Sequence, residues 1–144
     1  MECLKRVISF LDGNKVEAIC VTAQMHSMVA LNANKEVLRP MISCVDARND
    51  RQIQEIYEKC GGVNRFLSFT DNRMVASCTG GKILWMKENE PDLYKRTDVV
   101  ITPKDYFRML LTGEIATDES DASGYGLYDV KNRCWSRELL EYIG

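Results

Sequence analysis

The sequence predicts an α/β fold, because strand-like and helix-like segments alternate along its 144 residues. Val16–Thr22 is β-branched and apolar at its centre, which is typical of a strand covered on both faces. Residues 102–113 begin with an N-cap threonine and Pro103 and end at a glycine, which indicates a well-delimited helix. The length and a hydrophobic fraction of 45% are typical of one domain with one core.

The first half of the chain predicts two helices separated by strands. Helical spacing of apolar residues precedes Gly13, and the Val16–Thr22 strand follows. Met28–Leu31 and Glu36–Leu38 flank a polar turn, which favours a β-hairpin, and Asn49–Cys60 predicts the second helix before Gly61-Gly62. The apolar positions are Leu4, Val7, Ile8 and Leu11 in the first helix and Ile53, Ile56, Tyr57 and Cys60 in the second.

Short helices and strands continue to alternate in the second half. Residues 63–79 show no clean period and are predicted to be irregular, with one short helix. The predicted helices are Gly80–Asn89, a short one that begins at Pro91, the helix of residues 102–113, and a last one that Ser136 caps. The predicted strands are Asp98–Ile101 and Tyr125–Val130.

Composition excludes several classes of function. A net charge of −2 with 28% charged residues does not predict a nucleic-acid partner. The apolar runs are far shorter than the roughly 20 residues of a membrane span, so we expect no membrane association and a cytoplasmic location. The six cysteines form no Cys-x-x-Cys pair and are interpreted as reduced thiols. A zinc site needs clustered ligands, and the single histidine does not belong to such a cluster, so we expect no metal site.

Thirteen consecutive residues, Ser77–Asn89, combine small, hydroxyl, Lys and Trp positions at fixed spacing. This segment resembles the signature of the N-terminal domain of FGGY-type carbohydrate kinases. Further segments occur in the order expected of the xylulokinase branch of that family. They are Gln24-Met25-His26, Asp46-Ala47-Arg48, Pro103-Lys104-Asp105-Tyr106, Thr112-Gly113-Glu114 and Ser120-Asp121-Ala122-Ser123-Gly124.

The resemblance implies a ribonuclease-H-like α/β domain of the actin and sugar-kinase superfamily, incomplete here, with a mixed sheet and flanking helices. Residues 1–144 would then be part of the N-terminal, sugar-binding domain, without the C-terminal ATP-binding domain. The implied activity of the parent enzyme is MgATP-dependent phosphorylation of a sugar hydroxyl, with D-xylulose the leading candidate and other pentuloses, gluconate and other polyols open. We expect no cofactor in this chain itself. We expect a homo-oligomer because strands such as Ala18–Val21 would have lost a pairing partner or an apolar cover with the missing N-terminal hairpin, and an open strand edge pairs with another chain.

Candidate sugar-binding residues follow the first predicted strand. By resemblance, Met25 and His26 contact sugar hydroxyls, and Gln24 belongs to the same motif. Open α/β sheets bind ligands beyond the carboxyl ends of their strands, which agrees with this position. The alternative is that His26 is a surface or core residue with a satisfied hydrogen bond.

A second group of candidates follows Met41–Val45, which also has the pattern of a strand. Asp46 and Arg48 match the Asp-x-Arg of the family, although Cys44 and Val45 replace the Trp and Asn that often precede it. Asp46 either contacts sugar or pairs with a neighbouring arginine, and for Arg48 we favour the structural role. Ser77 and Cys78 resemble the loop that lines the far side of the sugar pocket.

Other polar residues have simpler interpretations. Trp85 is predicted to lie in the core, with Lys82 snorkelling over it. The acidic residues Asp118, Glu119 and Asp121 are interpreted as caps and solvated charges.

The phosphate-binding and catalytic motifs of the family are not matched. Leu11-Asp12-Gly13-Asn14 lacks the Thr of the family's Asp-x-Gly-Thr, and Thr70-Asp71-Asn72 is the nearest spelling of its Gly-Asp-Asn motif, without the glycine. We therefore expect no catalytic residue here and no activity from the chain alone. The alternative function is a non-catalytic sugar-binding or interaction module that keeps the fold.

Overall fold

A computed structural model describes residues 2–11 and 15–144. The helices in these residues are α1 (Glu2–Phe10), α2 (Asp50–Cys60), α3 (Val63–Thr70), α4 (Thr79–Asn89), α5 (Pro91–Arg96), α6 (Pro103–Thr112), α7 (Glu119–Ser123) and α8 (Arg137–Ile143). The strands are β1 (Val29–Leu31), β2 (Val99–Ile101), β3 (Tyr128–Asp129) and β4 (Cys134–Trp135). The combination of helices with small sheets confirms the α/β class, while Gly13 lies outside the described residues.

Local chemistry sets the ends of the best-predicted helices. The Thr102 hydroxyl accepts a hydrogen bond from the Asp105 N–H at the start of α6, and Gly113 ends that helix in the left-handed conformation. Ser136 caps α8 in the same way through the Leu139 N–H. These boundaries agree with the sequence analysis.

The predicted strand Val16–Thr22 is not formed. Its residues have no regular structure, and Val16 and Ile19 are 36% and 49% exposed. A strand needs a neighbour for its backbone N–H and C=O groups, and no described strand pairs with this segment. The strand predicted from the apolar composition of this segment was therefore wrong.

The strands form two small antiparallel sheets. In the first sheet, Val29, Ala30 and Leu31 pair with Ile101, Val100 and Val99. The predicted hairpin is reduced to a polar turn at Asn32–Lys35 with one bridge between Leu31 and Val37, and the predicted strand Met41–Val45 is reduced to one bridge between Met28 and Ile42. In the second sheet, β3 pairs with β4, so the Tyr125–Val130 strand is shorter than predicted.

The β1–β2 sheet buries both faces against helices. Met28, Ala30 and Val100 face α4 and α5, and the alternate residues face α6. A larger cluster lies between α2, α3, α4 and α8. Its buried members are Ile53, Ile56, Tyr57, Cys60, Phe66, Met74, Cys78, Leu84, Tyr125, Leu127, Leu139 and Ile143.

Tyr125 connects these clusters through both of its polar groups. Its carbonyl accepts a hydrogen bond from the Gly80 N–H (2.8 Å) at the first turn of α4, and its hydroxyl donates to the Val100 carbonyl (3.2 Å) in β2. A Cβ on Gly80 would lie 2.7 Å from the Tyr125 carbonyl, so glycine is required for this close approach.

Candidate functional site

His26 lies in a turn just before β1, with its side chain partly buried. Its φ of 67° is in the left-handed region, which non-glycine residues rarely adopt. The ring Nδ1 is 3.2 Å from the Ser77 hydroxyl oxygen, and the backbone carbonyl accepts a hydrogen bond from the Thr79 hydroxyl (3.1 Å). His26 is therefore held at both its backbone and its ring by the start of α4, rather than by the strand end that the sequence analysis predicted.

The other edge of the imidazole packs on Gly124, at the end of α7. A Cβ at position 124 would overlap the Cδ2 and Nε2 atoms of His26, so only glycine leaves room for the ring. The position of α7 is fixed by Asp121, which forms an ion pair with Lys104 (2.9 Å) and accepts a hydrogen bond from the Thr102 hydroxyl (3.3 Å). Gly124 thus contacts the imidazole directly, and the Lys104–Asp121 pair holds the helix that carries Gly124.

The charges around His26 favour its neutral form. Burial lowers the pKa of the imidazole below its ordinary value, the nearby Lys82 ammonium lowers it further, and the Asp121 carboxylate opposes both. A neutral imidazole has one N–H donor and one acceptor nitrogen. It can therefore serve the Ser77 hydroxyl through Nδ1 and one further hydrogen-bonding group through Nε2.

Asp46 lies in the turn that follows Ile42. Its carboxylate receives two hydrogen bonds from the Arg48 guanidinium, at 2.9 and 2.7 Å, and one from the Arg48 N–H. These bonds lower the pKa of Asp46, so it stays ionised. The guanidinium in turn lies 4.7 Å from the centre of the Trp85 ring, which confirms the structural role expected for Arg48.

The remaining predicted site residues differ in accessibility. Gln24 and Met25 are exposed beside His26, whereas Cys78 is buried as the N-cap residue of α4 and its sulfur accepts a hydrogen bond from the Val75 N–H. Ser77 contacts His26 directly. The structure therefore brings His26 and Ser77 together. Asp46 has no direct contact with His26 among the described hydrogen bonds, and the charge of Lys82 lowers the pKa of both groups.

The interpretation of Lys82 as a residue that snorkels over Trp85 was wrong. Lys82 is fully buried, and its ammonium donates to backbone carbonyls of the loop before α4. Trp85 is only partly buried, on the second core cluster. The acidic group was interpreted correctly in part: Asp118 caps α7, but Asp121 is buried and ion-paired rather than solvated.

Within residues 2–11 and 15–144, no group of three or more His, Cys, Asp or Glu side chains could hold a metal ion. Asp71 is exposed in the left-handed turn that ends α3, remote in sequence from the histidine turn. All six cysteines are free thiols, and no described helix is long and apolar enough to cross a membrane.

The profile of the "FGGY family of carbohydrate kinases, N-terminal domain" matches residues 1–144. The chain belongs to this family. The xylulose kinase of Lactococcus lactis is 39% identical over 129 residues, which are 90% of this chain and 25% of that protein. The chain thus spans about a quarter of the length of the curated FGGY relatives it matches.

Solved structures give the same fold. The crystal structure of a xyloylose kinase from Brucella ovis superposes with a TM-score of 0.89 and 33% identity over 98% of this chain and 29% of that chain. A gluconate kinase from Lactobacillus acidophilus superposes with a TM-score of 0.85 and 28% identity over 96% and 28% of the two chains. The ribonuclease-H-like fold of the sugar kinases is therefore confirmed, with a partial domain in this FGGY chain.

Two parts of the site were missed at the level of sequence. The FGGY-like segment from Ser120 to Gly124 was recognised, but no role was assigned to Gly124, and Lys104 was not connected with Asp121. The sequence did contain a signal for Gly124, because this glycine belongs to a matched motif and no predicted turn requires it. Its partner, His26, lies 98 positions earlier, and local patterns cannot reveal such a contact.

Proposed function

We propose that this chain is the sugar-binding part of an FGGY kinase that transfers the γ-phosphoryl group of MgATP to a hydroxyl of D-xylulose. The observation that carries the proposal is the neutral His26 imidazole, oriented by Ser77 and Gly124 within a chain of this family. Relatives named xylulose kinases support the sugar, and the neighbour named a gluconate kinase leaves related polyols as alternatives.

In this proposal Nε2 of His26, the ring nitrogen that Ser77 does not contact, forms a hydrogen bond with one sugar hydroxyl. Asp46 accepts from a second hydroxyl, Gln24, Met25 and Ser77 line the same site, and the buried Cys78 shapes the loop behind it. A neutral hydrogen bond contributes only about 0.5–1.5 kcal/mol net, so we expect this part alone to bind sugar weakly, with a Kd of about 1 mM or higher. MgATP would bind elsewhere in the parent enzyme.

A titration of the chain with D-xylulose tests the proposal. His26 is the only histidine, so its ring NMR signals report on this site alone. We expect the signals to shift with D-xylulose and not with an equal concentration of a compound without vicinal hydroxyls, such as 1,3-propanediol. Absence of a shift with any pentulose or polyol would contradict the sugar site.

The full-length parent enzyme gives a second test. His26→Ala should lower kcat/KM by ~1–3 kcal/mol, because hydroxyls of the sugar or their partners would lose a hydrogen bond. Lys5→Ala, on the exposed surface of α1, is the control and should leave kcat/KM unchanged. Equal activities of the two variants would remove His26 from the site.

The second candidate function is a non-catalytic sugar-binding or interaction module. It is favoured by Thr70-Asp71-Asn72, which lacks the glycine of the family's Gly-Asp-Asn motif. Gene sequence after codon 144 separates the two candidates. A reading frame with Gly-Asp-Asn and glycine-rich adenosine motifs supports the kinase.

We also propose a cytoplasmic location and a homo-oligomer for this chain. Exposed apolar residues of the unpaired segment, including Val16 and Ile19, support self-association. A second copy would cover them. Light scattering at high concentration tests this, and a mass of one chain would contradict it.

A further inference from the structure

Lys82, in the first turn of α4, is completely buried. Its ammonium donates hydrogen bonds to three consecutive carbonyls of the preceding loop, those of Ala76 (2.8 Å), Ser77 and Cys78 (3.4 Å). An ammonium group has three N–H donors. All three are thus directed at one short segment of backbone.

No carboxylate forms an ion pair with Lys82 among the residues that the structure describes. A buried charge without a paired counter-charge is costly, so the carbonyl oxygens are its direct compensation. The same carbonyls would be left facing one another if the ammonium were removed. Lys82 and the loop therefore depend on each other for their geometry.

This loop also sets the position of the histidine. A hydrogen bond from the Cys78 N–H to the Val75 carbonyl (2.8 Å) closes it into a turn, and the turn brings the Ser77 hydroxyl to 3.2 Å from Nδ1 of His26. The side chain of Ser77 thus faces His26 while its carbonyl faces Lys82. One residue connects the buried ammonium to the imidazole.

We propose that Lys82 is a positioning residue of the sugar site: through the loop Ala76–Cys78 it holds the Ser77 hydroxyl against Nδ1 of His26 and thereby fixes the orientation of the imidazole ring. The importance for sugar binding rests on the function proposed above. A hydroxyl can donate to Nδ1 or accept from it, so this contact orients the ring in either tautomer and leaves Nε2 as the nitrogen for a hydroxyl ligand.

The charge of Lys82 adds a second effect on the same ring. Burial lowers the pKa of His26 most, the charge of Lys82 on α4 lowers it further, and Asp121 on α7 raises it. Removing the ammonium should therefore raise the pKa of His26. The pKa reports the charge of Lys82, whereas the contact between Ser77 and Nδ1 reports its positioning role.

The experiment uses the ¹⁵N-labelled chain, in which His26 gives the sole histidine ring signals. Lys82→Met keeps the apolar stem and removes the ammonium. Lys87→Met is the matched control, because Lys87 lies on the same helix and also donates to a carbonyl, that of Ile143 (2.6 Å), away from the loop. The chemical shift of Nδ1 reports its hydrogen bond with Ser77, and a pH titration gives the pKa.

In Lys82→Met we expect the Nδ1 signal to lose the shift that the hydrogen bond with Ser77 causes, because the loop no longer holds the hydroxyl against the ring. The pKa of His26 should rise in the same variant, and both quantities should stay unchanged in Lys87→Met. A folded Lys82→Met with the wild-type Nδ1 shift would overturn the proposal.

Ser77→Ala keeps the experiment decisive even if Lys82→Met does not fold, because it removes only the hydroxyl between the loop and the ring. We expect the same change in the Nδ1 shift, and an unchanged shift would overturn the proposal. These measurements need no sugar, so they can succeed when the D-xylulose titration fails. An Nδ1 shift that depends on Lys82 and Ser77, without a response to sugar, would refute the proposed function alone.

Discussion

At the scale of single residues, the His26 imidazole is held between a hydroxyl on one side and a glycine on the other. The Ser77 hydroxyl fixes Nδ1, and Gly124 leaves space for the opposite edge of the ring. Neither contact is formed by a neighbour in sequence. The orientation of the histidine therefore depends on how α4 and α7 are placed.

Gly124→Ala should displace the imidazole, because the new methyl group would overlap two ring atoms. We expect changed His26 ring signals and a loss of any sugar response, with destabilisation of about 1–3 kcal/mol from overpacking. Ser123→Ala, one position earlier, is the control and should keep both. NMR spectra of the two variants check the prediction, which fails if Gly124→Ala retains the wild-type ring signals.

The pKa of His26 also makes stability depend on pH. Burial and the Lys82 charge hold the pKa below the ordinary 6.5, so the unfolded chain binds more protons between the folded pKa and about pH 6.5. The contribution of His26 to the free energy of unfolding should be complete above this window and should be lost as the pH falls through it.

Urea denaturation at a series of pH values measures this dependence. His26→Gln should remove the part of the slope just below about pH 6.5 and leave the part near pH 4, where carboxylates titrate. An equal slope just below pH 6.5 in both proteins would mean that His26 is not buried as described.

At the scale of secondary-structure elements, α8 depends on a single capping hydroxyl. Ser136 is buried, and its Oγ accepts from the Leu139 N–H at 3.3 Å. Ser136→Ala should lower the free energy of unfolding by ~0.5–2 kcal/mol, since the N–H would lose its partner. Ser68→Ala, on the exposed face of α3, should change it by less than about 0.5 kcal/mol. Urea midpoints of both variants test this.

Elements with local end signals could be predicted from sequence, and elements that need a distant partner could not. The helix α6 carries its own cap at Thr102 and its own terminating Gly113, so its limits followed from the residues. Val16–Thr22 has the composition of a strand, but hydrogen bonding to a neighbour decides whether one forms.

The site divides in the same way. His26 and Ser77 were identified by their motifs, whereas the burial of Lys82 beneath a loop and the contact with Gly124 depend on packing between helices. Short α7 was missed because its five residues have too few positions to show a helical period.

At the scale of the whole molecule, the chain by itself should not phosphorylate sugar. Its sequence does not match the phosphate-binding and Gly-Asp-Asn motifs of the family, and phosphoryl transfer requires a phosphate cradle, a metal ligand and a base. A coupled ADP-release assay with D-xylulose and MgATP should give the background rate. Turnover that survives repurification and disappears in His26→Ala would contradict this.

The two hydrogen bonds of Tyr125 affect how the protein unfolds. Its carbonyl is bound to the start of α4 and its hydroxyl to β2, so neither the large cluster nor the sheet can open without breaking a contact of the same residue. Trp135 lies against the Tyr125 ring, and Trp85 lies on the cluster beside the sheet. The fluorescence of the two tryptophans should therefore report one cooperative unfolding transition. The remaining tryptophan in Trp85→Phe and the one in Trp135→Phe should give the same midpoint. In Tyr125→Phe the two regions should begin to unfold separately.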